Sequence, residues 1–78
     1  PETTIEYELP QDSNVRITIY NIQGQKVREL ENTNKRAGYH QTKWNGRDNH
    51  GASVSSGIYL MVFEAGSIRQ VQKMVLSK

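Results

Sequence analysis

The chain has 78 residues, no cysteine and a net charge of +2, with acidic and basic side chains both spread along its length. These figures describe one domain, residues 1–78, with a modest core, about 5 kcal/mol of stability and no disulfide support. The charge is too weak and too mixed for a nucleic-acid footprint, and no apolar run approaches the roughly 20 residues of a membrane span. Neither nucleic acid, a membrane nor a cofactor is therefore expected, and the domain is expected to be a monomer. The chain opens at Pro1 with no Met and no signal-peptide pattern, which reads as a piece excised or processed from a longer protein.

The first periodic segment runs from Thr3 to Leu9, where Ile5, Tyr7 and Leu9 alternate with Thr4, Glu6 and Glu8. That spacing predicts a half-buried strand. Pro10 to Asn14 is rich in turn residues and breaks it. Val15 to Tyr20 alternates again, with Val15, Ile17 and Ile19 on the core face. Asn21-Ile22-Gln23-Gly24 is a turn in which Gly24 takes a positive φ. Gln25 to Leu30 predicts a shorter strand with Val27 in the core, and the polar stretch Glu31 to Ala37 predicts a mobile loop. Gly38 to Trp44 is the next strand, with Trp44, His40 and Thr42 sharing a face. Asn45 to Ser56 is a long turn region shaped by Gly46, Asp48 and Gly51, from which Val54 dips into the core.

Gly57 to Ala65 is apolar on both faces from Ile58 to Phe63, as a central strand is. Gly57 opens it, and Ala65-Gly66-Ser67 turns the chain into a last strand, Ile68 to Leu76, as a hairpin. No segment has a helical period. About six or seven short strands at turn spacings of roughly 8–12 residues predict an all-β, antiparallel sandwich of immunoglobulin type. Its predicted core includes Ile17, Ile19, Val27, Trp44, Tyr59 and Phe63. The acidic first segment (Glu2, Glu6, Glu8, Asp12) and the basic last one (Arg69, Lys73, Lys78) invite the idea that the terminal strands lie side by side.

Catalytic and metal chemistry find little support in the residues. Gly51-Ala52-Ser53-Val54-Ser55 is one glycine short of a nucleophile elbow and lacks the helix that must follow. His40 and His50 stand ten residues apart with no third soft ligand, which disfavours zinc. Asn45-Gly46-Arg47-Asp48-Asn49 is oxygen-rich but lacks the spacing and terminal Glu of a calcium loop, so Asn45 and Asp48 are expected to accept hydrogen bonds from turn amides instead. Tyr20 and Tyr39, if coplanar and exposed, would make a sugar-stacking platform. No catalytic, cofactor or metal residue is assigned.

Several phrases carry a family resemblance. Ile17-Thr18-Ile19-Tyr20-Asn21-Ile22-Gln23-Gly24-Gln25-Lys26-Val27, then Ala37-Gly38-Tyr39-His40, Trp44-Asn45-Gly46-Arg47-Asp48, Gly51, Ser56-Gly57-Ile58-Tyr59 and Lys73-Met74-Val75-Leu76-Ser77-Lys78 resemble the C-terminal sorting domains of bacterial type IX (Por) secretion. The same phrases resemble the immunoglobulin-like domain of the flagellar hook-capping protein. The sorting resemblance implies a non-catalytic module at the end of a secreted or cell-surface protein, which passes through the periplasm and is recognised by outer-membrane secretion machinery. On that reading Lys73, Met74, Val75, Leu76, Ser77 and Lys78 form the partner-binding segment. Two alternatives stand beside it: an accessory carbohydrate-binding or spacer domain of a secreted hydrolase, and a structural domain of the hook-cap type.

Overall fold

The computed structural model describes residues 2–78. They form β1 (Thr3–Leu9), β2 (Ser13–Asn21), β3 (Lys26–Lys35), β4 (Gly38–Trp44), β5 (Gly57–Ala65) and β6 (Ile68–Leu76). Alternation dictates the architecture. Val15, Ile17 and Ile19 line one face of β2, and Tyr59, Met61, Phe63 and Ala65 line the same face of β5, which pairs with it antiparallel. Two adjacent strands with one apolar face each must cover that face with a second layer. The hairpin partners β3 and β6 extend the sheet to the order β3-β2-β5-β6, and an antiparallel pair, β1 with β4, supplies the cover.

The result is the expected antiparallel sandwich. Between its layers lie Ile5 and Leu9 from β1, Trp44 from β4, the inner rows of β2 and β5, and Met74 and Leu76 from β6. Ile17, Ile19, Trp44, Tyr59 and Phe63 are all buried, and Val27 is half-buried against them, as is Val54. The aromatic rings interlock across the layers: Trp44 meets Tyr59 edge to face at 5.2 Å, and Tyr7 tilts onto Phe63 at 5.1 Å.

The described residues form six strands, within the expected six or seven, and the region from Asn45 to Ser56 contributes only one isolated bridge, Arg47 with Ser53. Two expectations need correction. The stretch from Glu31 to Lys35 is the second half of β3, not a mobile loop. Its composition is poor for a strand, but pairing with the central β2 continues to Ser13 opposite Lys35, and Asn14 Nδ2 donates to Asn34 Oδ1 at 3.2 Å. The acidic β1 and the basic β6 do not lie side by side: one pairs with β4, the other with β5, in different sheets.

The cover is narrower than the sheet beneath it. On β6 the inner positions Ile68, Gln70 and Gln72 stay exposed, and only Met74 and Leu76 reach the core. The two-stranded layer therefore leaves the outer half of β6 bare on both faces.

Candidate functional site

Gly46 (φ 74°) and Gly51 (φ 82°) bend the β4–β5 connection through conformations that side chains resist. Between them Asp48 organises the turn. Its Oδ1 accepts from the amides of His50 and Ala52, both at 2.9 Å, while its own amide donates to the Ala52 carbonyl. The Ala52 amide holds the Asp48 carboxyl below the usual carboxylate range against a smaller desolvation effect, with help from the His50 amide and from the nearby His50 and Arg28 side chains. Asn45 Oδ1 accepts from the Arg47 amide at 3.2 Å. Trp44 Nε1 donates to the Arg47 carbonyl at 3.0 Å, so the core ring anchors the turn. The candidate calcium oxygens of Asn45 and Asp48 are thus engaged within the turn, and no group of three or more His, Asp or Glu side chains gathers among the described residues.

This turn also reaches β3. The Asn49 amide donates to the Val27 carbonyl at 3.0 Å, and Asn49 Oδ1 accepts from the Glu29 amide at 3.0 Å. One asparagine thereby imitates a strand partner along the outer edge of β3. That strand carries two register shifts against β2, which leave Val27 and Leu30 as extra residues that turn toward the core. Bulges of this kind bend an edge away from further pairing.

The other polar cluster lies at the rim of the core. Tyr7 Oη donates to Glu31 Oε2 at 2.9 Å, Lys35 Nζ stands 3.8 Å from the same oxygen, and His40 stacks on the Tyr7 ring at 5.4 Å. Burial, then the hydrogen bond and charge of Glu31, push the Tyr7 phenol above its ordinary value. His40 Nε2 bonds the Arg36 carbonyl at 2.6 Å. His50 sits exposed in the turn, away from this cluster. Gly24 (φ 84°) closes the β2–β3 hairpin, its amide donating to the Asn21 carbonyl, and Gly57 opens β5.

The sugar platform is not assembled. Tyr20 belongs to the outer face of the four-stranded sheet, opposite Leu60, whereas the exposed Tyr39 belongs to the outer side of β4. The two rings lie on opposite sides of the sandwich.

The segment Lys73 to Lys78 divides by burial. Met74 and Leu76 are core residues, whereas Lys73, Val75, Ser77 and Lys78 are exposed. Lys78 turns back toward the β4–β5 connection, its amide donating to Ser56 Oγ at 3.2 Å and its ammonium to Ser53 Oγ. Outward on β6 stand Arg69, Val71, Lys73 and Val75, opposite Glu64, Val62, Leu60 and Ile58 of β5. Sequence reasoning missed this apolar row, of which Ile58, Val71 and Val75 are exposed. The signal was present as basic and aliphatic residues alternating at every second position of β6. It also missed Asn49, whose role depends on where the turn lands.

Two facing antiparallel sheets with strand order β3-β2-β5-β6 over β1-β4 define an immunoglobulin-like sandwich domain. Residues 1–67 match the model of the FlgD Ig-like domain, and the chain belongs to that family. It superposes on the crystal structure of FlgD from P. aeruginosa with a TM-score of 0.75 at 22% identity, over 97% of this chain and 61% of that one. This chain therefore spans less than two thirds of that protein, and the likeness is one of fold. No curated protein sequence matches it. The match bears out the hook-capping resemblance rather than the type IX one, and residues 68–78, including the proposed partner-binding segment, lie beyond the matched part.

Proposed function

We propose that this domain is a non-catalytic structural module of the flagellar hook-cap type, acting outside the cytoplasm through contacts with other protein chains. Membership of the FlgD Ig-like family over residues 1–67 is the observation that carries this reading. The chemistry of the molecule agrees with it. Asp48 is bound to turn amides, Glu31 to Tyr7, and His40 to a backbone carbonyl, so each is held in a structural contact. A cleft of about 380 Å³ between the β2–β3 turn and the start of β5 is lined by Asn21, Ile22, Val54, Ser55, Ile58 and Tyr59, among others, and holds no acid–base pair. Exchanging this domain for the Ig-like domain of P. aeruginosa FlgD tests the reading. The chimera is expected to restore more hook assembly than a domain-deleted control, and equality with that control would count against it.

A second reading, export by type IX secretion, is favoured by one observation: the C-terminal strand β6 lies at a sheet edge, where its backbone is open to a receptor. Deleting Lys73 to Lys78 would not test this cleanly, because Met74 and Leu76 leave the core with it. A reporter fused to the intact domain, compared with Lys73→Glu and Val75→Asp variants that retain the fold, separates recognition from folding. Export of the intact fusion with loss in the folded variants supports sorting, and equal export of all three rejects it.

A further inference from the structure

The two outer strands of the four-stranded sheet are treated differently. The β3 edge is bulged and covered by Asn49. The β6 edge is straight, in unbroken register with β5 from Gly57 opposite Leu76 to Ala65 opposite Ile68. Among the described residues, no loop or side chain hydrogen-bonds along its outer side, and the ion pairs present, Arg16–Glu29, Lys35–Glu31 and Lys43–Glu2, involve neither Arg69 nor Lys73. Unpaired backbone groups at such an edge are a template for an added strand.

Basic side chains commonly guard edges against pairing. On β6 they do so selectively. A second β6 laid antiparallel in the register that sets Arg69 opposite Lys73 would bring like charges together, which disfavours that self-pairing. A carboxylate in the same places is attracted. The outer face offers Arg69, Val71, Lys73 and Val75 at every second residue, with Val71 and Val75 exposed. Cross-strand neighbours share a face, so an incoming strand meets a basic, aliphatic, basic, aliphatic row. The inner face offers Ile68, Gln70 and Gln72, uncovered by the β1–β4 layer, and so accepts uncharged residues.

We propose that the β6 edge binds an extended acidic segment of a partner protein by strand addition, with carboxylates and aliphatic side chains alternating along one face at every second residue. Its pattern reads Glu-x-Val-x-Glu-x-Val, where x is small and polar. The proposal rests on the domain's role as an interaction module, but not on which assembly it serves. A failed hook chimera with peptide binding intact would reject only the hook-cap reading, and the converse would reject only this one.

The test uses the full 78-residue chain and a labelled peptide, Thr-Glu-Thr-Val-Thr-Glu-Thr-Val-Thr, read by fluorescence anisotropy and by hydrogen exchange of β6 amides. Binding is expected to protect β6 amides and to weaken with salt. Charge reversal by Arg69→Glu with Lys73→Glu, both exposed, is expected to weaken it about tenfold, and a Lys-for-Glu peptide is expected to rescue the loss. Methylating the peptide's backbone nitrogens at one set of alternate residues is expected to abolish binding, and at the other set to leave it intact, because only half of them face the edge. Absence of binding, equal binding by both methylated peptides, or indifference to charge reversal would overturn the proposal. Concentration-dependent self-association that protects β6 without peptide would overturn it too, since the occupant would then be a second copy.

Discussion

The strands β3 and β6 occupy equivalent places at the two margins of one sheet, and they solve the edge problem differently. Strand β3 takes two bulges, turns Val27 and Leu30 inward, and receives Asn49 along its outer side. Among the described residues, strand β6 has no bulge and no cap, and only Met74 and Leu76 tie its end to the core. One edge is spent on stability while the other is left available. Packing and hydrogen bonding converge on the turn beside β3, whereas β6 shows solvent a row of aliphatic and basic groups. Elements free of tertiary burden are where binding surfaces are usually found.

The strongest blow to this asymmetry is Trp44→Ala. It removes the most deeply set ring of the core and the donor that anchors the Arg47 carbonyl. A loss of about 3–5 kcal/mol is expected, most of the stability of a domain this size, together with release of the β3 cap. Urea unfolding measures the first effect, and a wild-type midpoint would contradict the core assignment.

Neighbouring residues of β6 sharpen the contrast within one strand. Met74→Ala is expected to cost about 2–3 kcal/mol. Val75→Thr, one residue along and exposed, is expected to stay within about 0.5 kcal/mol. Similar losses at both would mean that β6 is covered on its outer face.

Tyr7→Phe keeps the ring on Phe63 and His40 but deletes the donor to Glu31. About 1 kcal/mol is expected, since the phenol is only part-buried. The raised phenol value also predicts a pH effect. Its contribution is complete below the ordinary tyrosine value near pH 10 and is lost as pH rises through the higher folded value. The Phe variant should lose less stability in that alkaline range, and identical alkaline curves would deny the Tyr7–Glu31 contact.

The smallest effect belongs to Asp48. Its lowered carboxyl value makes its contribution complete above about pH 4 and lost as pH falls through the lower folded value. Asp48→Asn keeps an acceptor for the His50 and Ala52 amides while removing the charge. The variant is expected to show a shallower acid limb in thermal melts below about pH 4. An unchanged acid limb would show that the charge contributes nothing.

The sandwich was legible because period-two alternation at Ile5/Tyr7/Leu9 and Val15/Ile17/Ile19 admits little else, and glycine marked the bends at Gly24, Gly46 and Gly51. The second half of β3 was not legible. Glu31 to Lys35 is polar and of low strand propensity, and it is held extended by a partner fourteen or more residues away in the chain. Nor could local pattern show that Tyr20 and Tyr39 fall on opposite sides, because side is set by which sheet a strand joins. The segment from Lys73 to Lys78 was legible as a strand at the chain's end, but its split into buried Met74 and Leu76 and exposed Lys73 and Val75 depends on where the narrow β1–β4 cover stops.

Residue-resolved hydrogen exchange of the native domain tests the central claim, that the two edges differ, most directly. The Glu29 amide, bonded to Asn49 Oδ1, is expected to be protected to the level of the core and to lose that protection in Asn49→Ala. In β6, alternate amides from Ile68 to Lys73 are expected to exchange as fast as an exposed strand edge allows, while those bonded to β5 stay slow. Fast exchange at Glu29 together with uniform protection along β6 would contradict the account.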